Sequence, residues 1–291
     1  MFKQTLVVFS CCLLFQGNIF GFITNPARTD GFGAQYQTII YSIIYAELHG
    51  EEFRYTPFQD MEHNYDGQED FLEKKEHFIN LIHHFPLNTD PNRQTISLCQ
   101  FIAFFESHLK ECAESAALQK VKRLFRENKR KADYYDENYL NIALHIRRAN
   151  SQDNRFVPSA DSVYLKTIEA LRRFYRNKPV RFHIFSQGKL SEFQSIFSGK
   201  DVVYHIDTEI EETFASMVFA DVLVTGMCTS FSYTAALLSE GKIIYMPFWH
   251  PPLPRWFVFN EPLQSEKPAV LKSVLFKYLR NIDCLGLACK I

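Results

Sequence analysis

Asn141-Ile-Ala-Leu-His-Ile-Arg-Arg148 is the stretch that decides the fold. Asn141–Ile146 is an almost unbroken apolar run, short for a helix and suited to a strand covered on both faces. Strand alternation puts Ala143, His145 and Arg147 on one face and Ile142, Leu144 and Ile146 on the other. His145 is therefore expected to look into a covered layer near the rim. Arg147 and Arg148 emerge at the strand's carboxyl end.

Moving outward, similar short runs occur at Val180–Phe185, Val202–His205, Val222–Thr225 and Ile243–Met246. Helical periodicity fills the gaps at Asp161–Arg176, Leu190–Phe197, Glu209–Phe219 and Phe231–Ser239. Strands alternating with amphipathic helices predict a parallel sheet with right-handed crossovers, a Rossmann-like unit. Towards the amino terminus, a strand at Ile19–Thr24 leads through the turn Asn25–Gly33 into a helix over Gln35–Leu48, stopped by Gly50. A second strand at Glu52–Tyr55, a polar loop over 57–68, and helical stretches at Glu69–His83 and Ile96–Lys129 follow, the last broken near Cys112. The charged run Lys129–Asn138 divides the two regions. The expected organisation is a leader over residues 1–17, an α/β domain over 18–135 and a Rossmann-like domain over 136–291.

Composition narrows the functional classes. With 46% hydrophobic and 22% charged residues in 291, the chain is neither disordered, collagenous nor a coiled coil. Lys plus Arg (32) balance Asp plus Glu (33), so nothing suits it to coat nucleic acid or an anionic membrane. The cationic cluster Lys120–Lys131 reads as a solvated helix face, with Val121, Leu124 and Phe125 as its buried stripe. The seven cysteines offer no Cys-x2-Cys pair, and no His-Glu-x-x-His occurs, so the zinc templates fail. Cys99 with Cys112, and Cys284 with Cys289, are either local disulfides or reduced thiols. Lys3 followed by the apolar run Leu6–Phe15 has the form of a secretory signal. It is short for a membrane span, which needs about 20 residues. A retained anchor or a buried first strand are its competitors. The expected location is the secretory pathway, in the ER/Golgi lumen or outside the cell, with membrane association only through this segment.

Three loops carry unusual chemistry, two of them at strand ends, where open parallel sheets bind ligands. Arg147 and Arg148 offer planar forks suited to bidentate capture of a diphosphate, or else form a salt-bridged surface pair. Thr225-Gly-Met-Cys-Thr-Ser-Phe-Ser232 joins a strand to a helix, with Ser230 as the expected N-cap. The helix-start amides and the Ser232 hydroxyl could meet an anionic oxygen. Gly31-Phe-Gly33-Ala-Gln35 is a glycine turn at the head of the first helix, open to close backbone approach. His83-His84 is expected to cap a helix end. The loop Trp249–Trp256 suits stacking on a sugar or base, or packing against the other domain. Asp221 is expected to position a strand start.

In this order the motifs resemble those of the fucosyltransferase superfamily that uses GDP-fucose. His145-Ile-Arg-Arg148 matches its His-x-Arg-Arg signature. Ala220–Val224 with Thr229-Ser-Phe-Ser232 is similar to its second donor motif. Gly31-Phe-Gly33-x-Gln35 is similar to its Gly-x-Gly-Asn-Gln turn. The resemblance implies an α/β fold of two Rossmann-like domains with GT-B-like architecture. It also implies metal-independent, inverting transfer of L-fucose from GDP-fucose to a glycan or glycoprotein. The donor would be held by His145, Arg147, Arg148, Thr229, Ser230, Phe231, Ser232, Gly33 and Gln35, with Arg147 stabilising the departing diphosphate. No Asp-x-Asp metal motif occurs. Asp153 is a candidate base, as is Asp30. Three positions depart from the family: Ala34 for Asn, Asn150 for Asp, and Thr213, beside Glu211 and Glu212, for an acidic residue. The alternatives are another donor sugar, such as xylose, or a catalytically silent glycan- or nucleotide-binding homologue. An unrelated Rossmann protein is favoured only if His145 and Arg147 lie far from Ser230.

Overall fold

The computed structural model describes residues 21–90, 96–148 and 161–258. The leader, the loop bearing Asn150 and Asp153, and the Cys284/Cys289 pair lie outside them.

Two parallel sheets organise the chain. In the first, β1 (Ile23–Thr24) pairs with β2 (Phe53–Arg54), and α1 (Phe32–Leu48) connects them. Gly31 stays extended as the N-cap of α1, and Gly50, at φ +68°, takes the left-handed turn that stops the chain beyond it. Helix α1 is apolar on nearly every side, with Tyr36, Ile39, Ile40, Ile43 and Ile44 all buried. It is a core helix with neighbours all round.

α2 (Phe71–Ile79), α3 (Leu98–Ser107), α4 (Leu109–Glu114) and α5 (Ala116–Arg126) follow. Asn80, in the left-handed conformation, ends α2, so His83-His84 lie beyond it and do not cap it. Ser97 and Gln100 form a reciprocal capping box at the head of α3. The long helical stretch breaks near Cys112 as expected, at His108 and Ser115 on either side of it. The Ser115 hydroxyl accepts the Leu118 amide and starts α5 anew. Val121, Leu124 and Phe125 are buried as the periodicity requires. The cations between them are not simply solvated: Lys122 reaches the Ser239 carbonyl, Arg126 the Val218 carbonyl, and Lys129 sits over the Phe125 ring. No disulfide joins Cys99 to Cys112.

The second sheet is all parallel. β3 (Leu140–His145), β4 (Val180–Ser186), β5 (Val202–Ile206), β6 (Val222–Val224), β7 (Lys242–Tyr245) and β8 (Phe257–Val258) take the spatial order β5-β4-β3-β6-β7-β8. Counted from β3 this is 3-2-1-4-5-6, the doubly wound Rossmann order. The crossovers α6 (Asp161–Phe174), α7 (Leu190–Ile196), α8 (Ile210–Phe219) and α9 (Ser230–Leu238) complete it. Ile142, Leu144, Phe182, Ile184, Val222 and Val224 face α6 and α7 in one core. Ala143, Phe185, Leu223 and Tyr245 face α8 and α9 in the other. That second core continues without interruption into α1, α3 and α5 of the amino-terminal half. Among the described residues, that half contributes a two-stranded sheet to an otherwise helical and aromatic body. No described helix is long and apolar enough to cross a membrane.

Candidate functional site

The strand order reverses between β3 and β6. Connections leave the two strands in opposite directions there, and in open parallel sheets the carboxyl ends at such a reversal are where a ligand crevice lies. His145, at the end of β3, looks towards the α8/α9 side, and its ring packs 5.5 Å from Phe231 of α9. Its Nδ1 is buried with no hydrogen-bond partner. Burial, with help from the Arg147 charge, pushes its pKa down to about 3. The imidazole is neutral at physiological pH and offers hydrogen bonding without charge.

The loop after β6 is held residue by residue. The Gly226 amide donates to Ser232 Oγ at 2.7 Å, the Met227 amide to the Tyr164 hydroxyl at 3.0 Å, and the Cys228 amide to the Pro247 carbonyl at 3.4 Å. Glycine is required at 226, because a Cβ there would lie 2.6 Å from both His145 Nδ1 and Thr229 Cγ2. Cys228 adopts φ +53°. Burial raises its thiol pKa and the Arg147 charge opposes that shift. The Arg147 charge is thus felt by a side chain at each strand end.

Helix α9 begins one residue earlier than expected. Thr229 is its N-cap, with Oγ1 accepting the Phe231 amide at 3.2 Å, and Ser230 is the first helical residue. Ser232 is fully buried, and its hydroxyl accepts the Gly226 amide. The Thr229 and Ser230 amides have no partner among the described residues. The start of α1 abuts this tip. A Cβ on Gly33 would come within 2.6 Å of the Phe231 amide nitrogen, and Thr234 Oγ1 donates to the Gly33 carbonyl at 2.8 Å. The Phe32 and Gly33 amides likewise have no partner among the described residues, and no side chain caps α1. Two helix amino termini, each a source of partial positive charge, therefore meet beside His145.

Two expected donor contacts turn elsewhere. Arg148 pairs with Asp161 at the head of α6, its guanidinium 5.4 Å from the centre of the Phe193 ring. For Arg148 this is the salt-bridged arrangement. Gln35 is buried and ties its own turn to the next loop, Nε2 donating to the Asp30 carbonyl at 2.6 Å and the Asp60 carbonyl at 2.8 Å. Asp30 is ion-paired with Arg28. Thr213 shares a hydrogen bond with the Thr208 hydroxyl at 2.6 Å, and Glu211 pairs with the buried Lys75 at 2.5 Å. Asp221 holds the start of β3, accepting the Asn141 amide at 2.8 Å. The Trp249–Trp256 loop packs against the amino-terminal half: His250 is buried and its Nδ1 lies 2.8 Å from Glu106 Oε1 on α3. Gly226 and Tyr164 were not legible as site residues. A glycine directly after an apolar strand was the only signal for the first, and the second had none.

No family model matches the sequence, and no curated protein matches it. Among solved structures the chain is similar to the NodZ α-1,6-fucosyltransferase co-crystallised with GDP, at 14% identity and a TM-score of 0.43, over 77% of this chain and 94% of that one. The fucosyltransferase NodZ from Bradyrhizobium gives the same identity and TM-score, over 76% and 94%. An Arabidopsis thaliana FUT1 mutant in complex with GDP gives 12% and 0.38, over 80% and 71%. Acetyl-CoA synthase/carbon monoxide dehydrogenase α subunits give 8% and 0.28, over 69% and 28%. Likenesses this remote assign no chemistry to the crevice, which rests on its own residues.

Proposed function

We propose that the chain is a glycosyltransferase taking a nucleotide-diphosphate sugar, GDP-fucose first, and passing L-fucose to a glycan or glycoprotein with inversion. The convergence at the strand-order reversal carries this reading: Arg147, neutral His145 and the tips of α1 and α9, α9 capped only at its Phe231 amide, lie around one crevice. The motif resemblance of His145–Arg148 and Thr229–Ser232 supports it. When the glycosidic bond breaks, negative charge builds on the departing diphosphate. Arg147 and the free amides of Ser230 and Gly33 are preorganised to meet it, so no metal ion is needed. His145 supplies a hydrogen bond to the nucleotide. Asp153, on the loop after the arginines, is the proposed proton acceptor for the incoming hydroxyl. The β1–α1–β2 unit would form the acceptor side of a GT-B-like pair, reached through the secretory pathway.

Arg147→Ala is expected to cost about 3–4 kcal/mol of transition-state stabilisation, read as kcat/KM. Near-normal turnover in that variant would refute the role. A melting screen of the purified protein against GDP-, UDP- and CMP-sugars tests the donor. Saturation near 100 Kd should raise Tm by about 5–10 °C, and a shift with UDP-sugars alone removes the GDP assignment. A second reading, a catalytically silent nucleotide binder, is favoured by Arg148 and Ser232 being committed to internal partners. Stabilisation by GDP without transfer or hydrolysis on any acceptor would select it.

A further inference from the structure

We propose that the first turn of α6 is a brace that positions both strand ends of the crevice, with Tyr164 and Asp161 as its positioning residues; the functional meaning rests on the diphosphate reading above. Asp161 and Tyr164 are three apart and so share one face of the helix. Asp161 holds the tail of β3 through Arg148. Tyr164, only 2% exposed, holds the loop after β6 by accepting the Met227 amide at 3.0 Å. One helical turn thus touches both sides of the strand-order reversal.

The consequence lies in which amides are left for a ligand. Gly226, Met227 and Cys228 each donate to a protein acceptor, namely Ser232 Oγ, the Tyr164 hydroxyl and the Pro247 carbonyl. Their amides are thereby turned into the protein, and Thr229 and Ser230 are left as the donors at the tip of α9. Met227 is buried, so without the Tyr164 oxygen its amide would be orphaned. The neighbouring Cys228, at φ +53°, would then be held in a left-handed conformation that non-glycine residues rarely adopt by its Pro247 contact alone. Release of this amide is expected to free the loop and scatter the tip donors. The β3 tail has a second tether, the Ser186 hydroxyl donating to the Ile146 carbonyl at 2.6 Å. The loop after β6 is therefore the side more sensitive to the brace.

Cys228 sits next to Met227 and reports the loop directly. Cys112, fully buried in the amino-terminal half, reports global opening. The experiment measures iodoacetamide alkylation at each cysteine by peptide-resolved mass spectrometry, alongside GDP affinity by calorimetry. It compares wild type, Tyr164→Phe, Asp161→Asn and the control Phe174→Ser, which alters an exposed residue at the far end of α6. Tyr164→Phe keeps the ring and its packing and removes only the oxygen. It should accelerate Cys228 alkylation and weaken GDP binding by about tenfold each, the size of one lost hydrogen bond. Asp161→Asn should raise the Cys228 rate about threefold, although it contacts the other loop, while Cys112 and the control stay at wild-type values. An unchanged Cys228 rate in Tyr164→Phe, or Cys112 rising in step with it, overturns the brace. An Asp161→Asn effect confined to GDP affinity overturns the coupling of the two loops. Accelerated Cys228 in a protein whose wild type binds no GDP leaves the brace standing and overturns the diphosphate reading instead.

Discussion

Residues 140–258 and residues 21–135 reach burial by different routes. The carboxyl-terminal half is a sheet whose strands alternate cleanly between two cores, so each side chain's face follows from its position in the strand. The amino-terminal half packs by aromatic contact. Phe32 alone meets Tyr36, Phe58, Phe78, Phe214 and Phe231. Its polar ties reach across to the other half, as in Lys75 with Glu211 and Glu106 with His250. The first half of the comparison is periodic and local. The second depends on partners distant in sequence.

Acid should separate the halves most sharply. His145, His183 and His205 all lie on the same face of the large sheet, with pKa values pushed down to about 3, 3 and 4, burial being the main cause in each. Each is neutral when folded and takes up a proton on unfolding near its ordinary value of about 6.5. Stability is therefore intact above about pH 6.5 and is lost as pH falls from there towards 4 and 3. Between pH 7 and 5 the loss is up to about 2 kcal/mol per histidine. The hydrogen bonds agree with neutrality. Asn141 Nδ2 donates to the Asp136 and Tyr139 carbonyls, so its Oδ1 accepts from His183 Nε2 at 3.1 Å, and His183 Nδ1 then accepts from His205 Nε2 at 3.0 Å. A proton on His183 Nδ1 would oppose that donor. Denaturant melts at pH 7 and pH 5 should show the drop, and His183→Gln should flatten it; equal stability at both pH values contradicts neutral burial.

Gly33→Ala comes next, because it acts where the halves touch. Its Cβ would overlap the Phe231 backbone, and neither helix can yield cheaply, so a loss of about 3 kcal/mol is expected by denaturant titration. A loss below about 1 kcal/mol would mean the helix tips do not meet. Glu211→Gln should cost about 2 kcal/mol, between the exposed and buried limits for ion pairs, because Lys75 is buried and its partner is partly exposed. Stability unchanged in that variant would show that this tie is replaceable. Arg130→Ala should do least: both it and Asp133 are 85% exposed, and a shift above about 0.5 kcal/mol would be unexpected.

Legibility in the sequence follows the same division. The strands Asn141–Ile146 and Val180–Phe185 were readable to within a residue, because a covered strand leaves a compact apolar run. The parallel pairing of the strands followed from the crossover helices between them, whereas their spatial order was not legible. β8 was missed: Phe257 and Val258 are exposed and carry no alternation. The convergence of Gly33, His145 and the Thr229–Ser232 loop was visible only as a sum of short motifs, and the structure brings them into contact. The fates of Arg148, Ser232 and Gln35 were not legible. Each was chosen for what its side chain could offer a ligand, and each is claimed by a partner that local pattern does not reveal, Asp161, Gly226 and the Asp60 carbonyl. Thr229 rather than Ser230 caps α9 because the loop turns one residue sooner than the apolar period suggests.

The central claim is a fixed cationic anion site at the strand-order reversal, and calorimetric titration of GDP in the presence of EDTA tests it most directly. Wild type should bind with the chelator present, and Arg147→Ala should lose at least about tenfold in affinity. Binding that vanishes with EDTA and returns with manganese, or an Arg147→Ala variant that binds GDP as wild type does, would contradict the account.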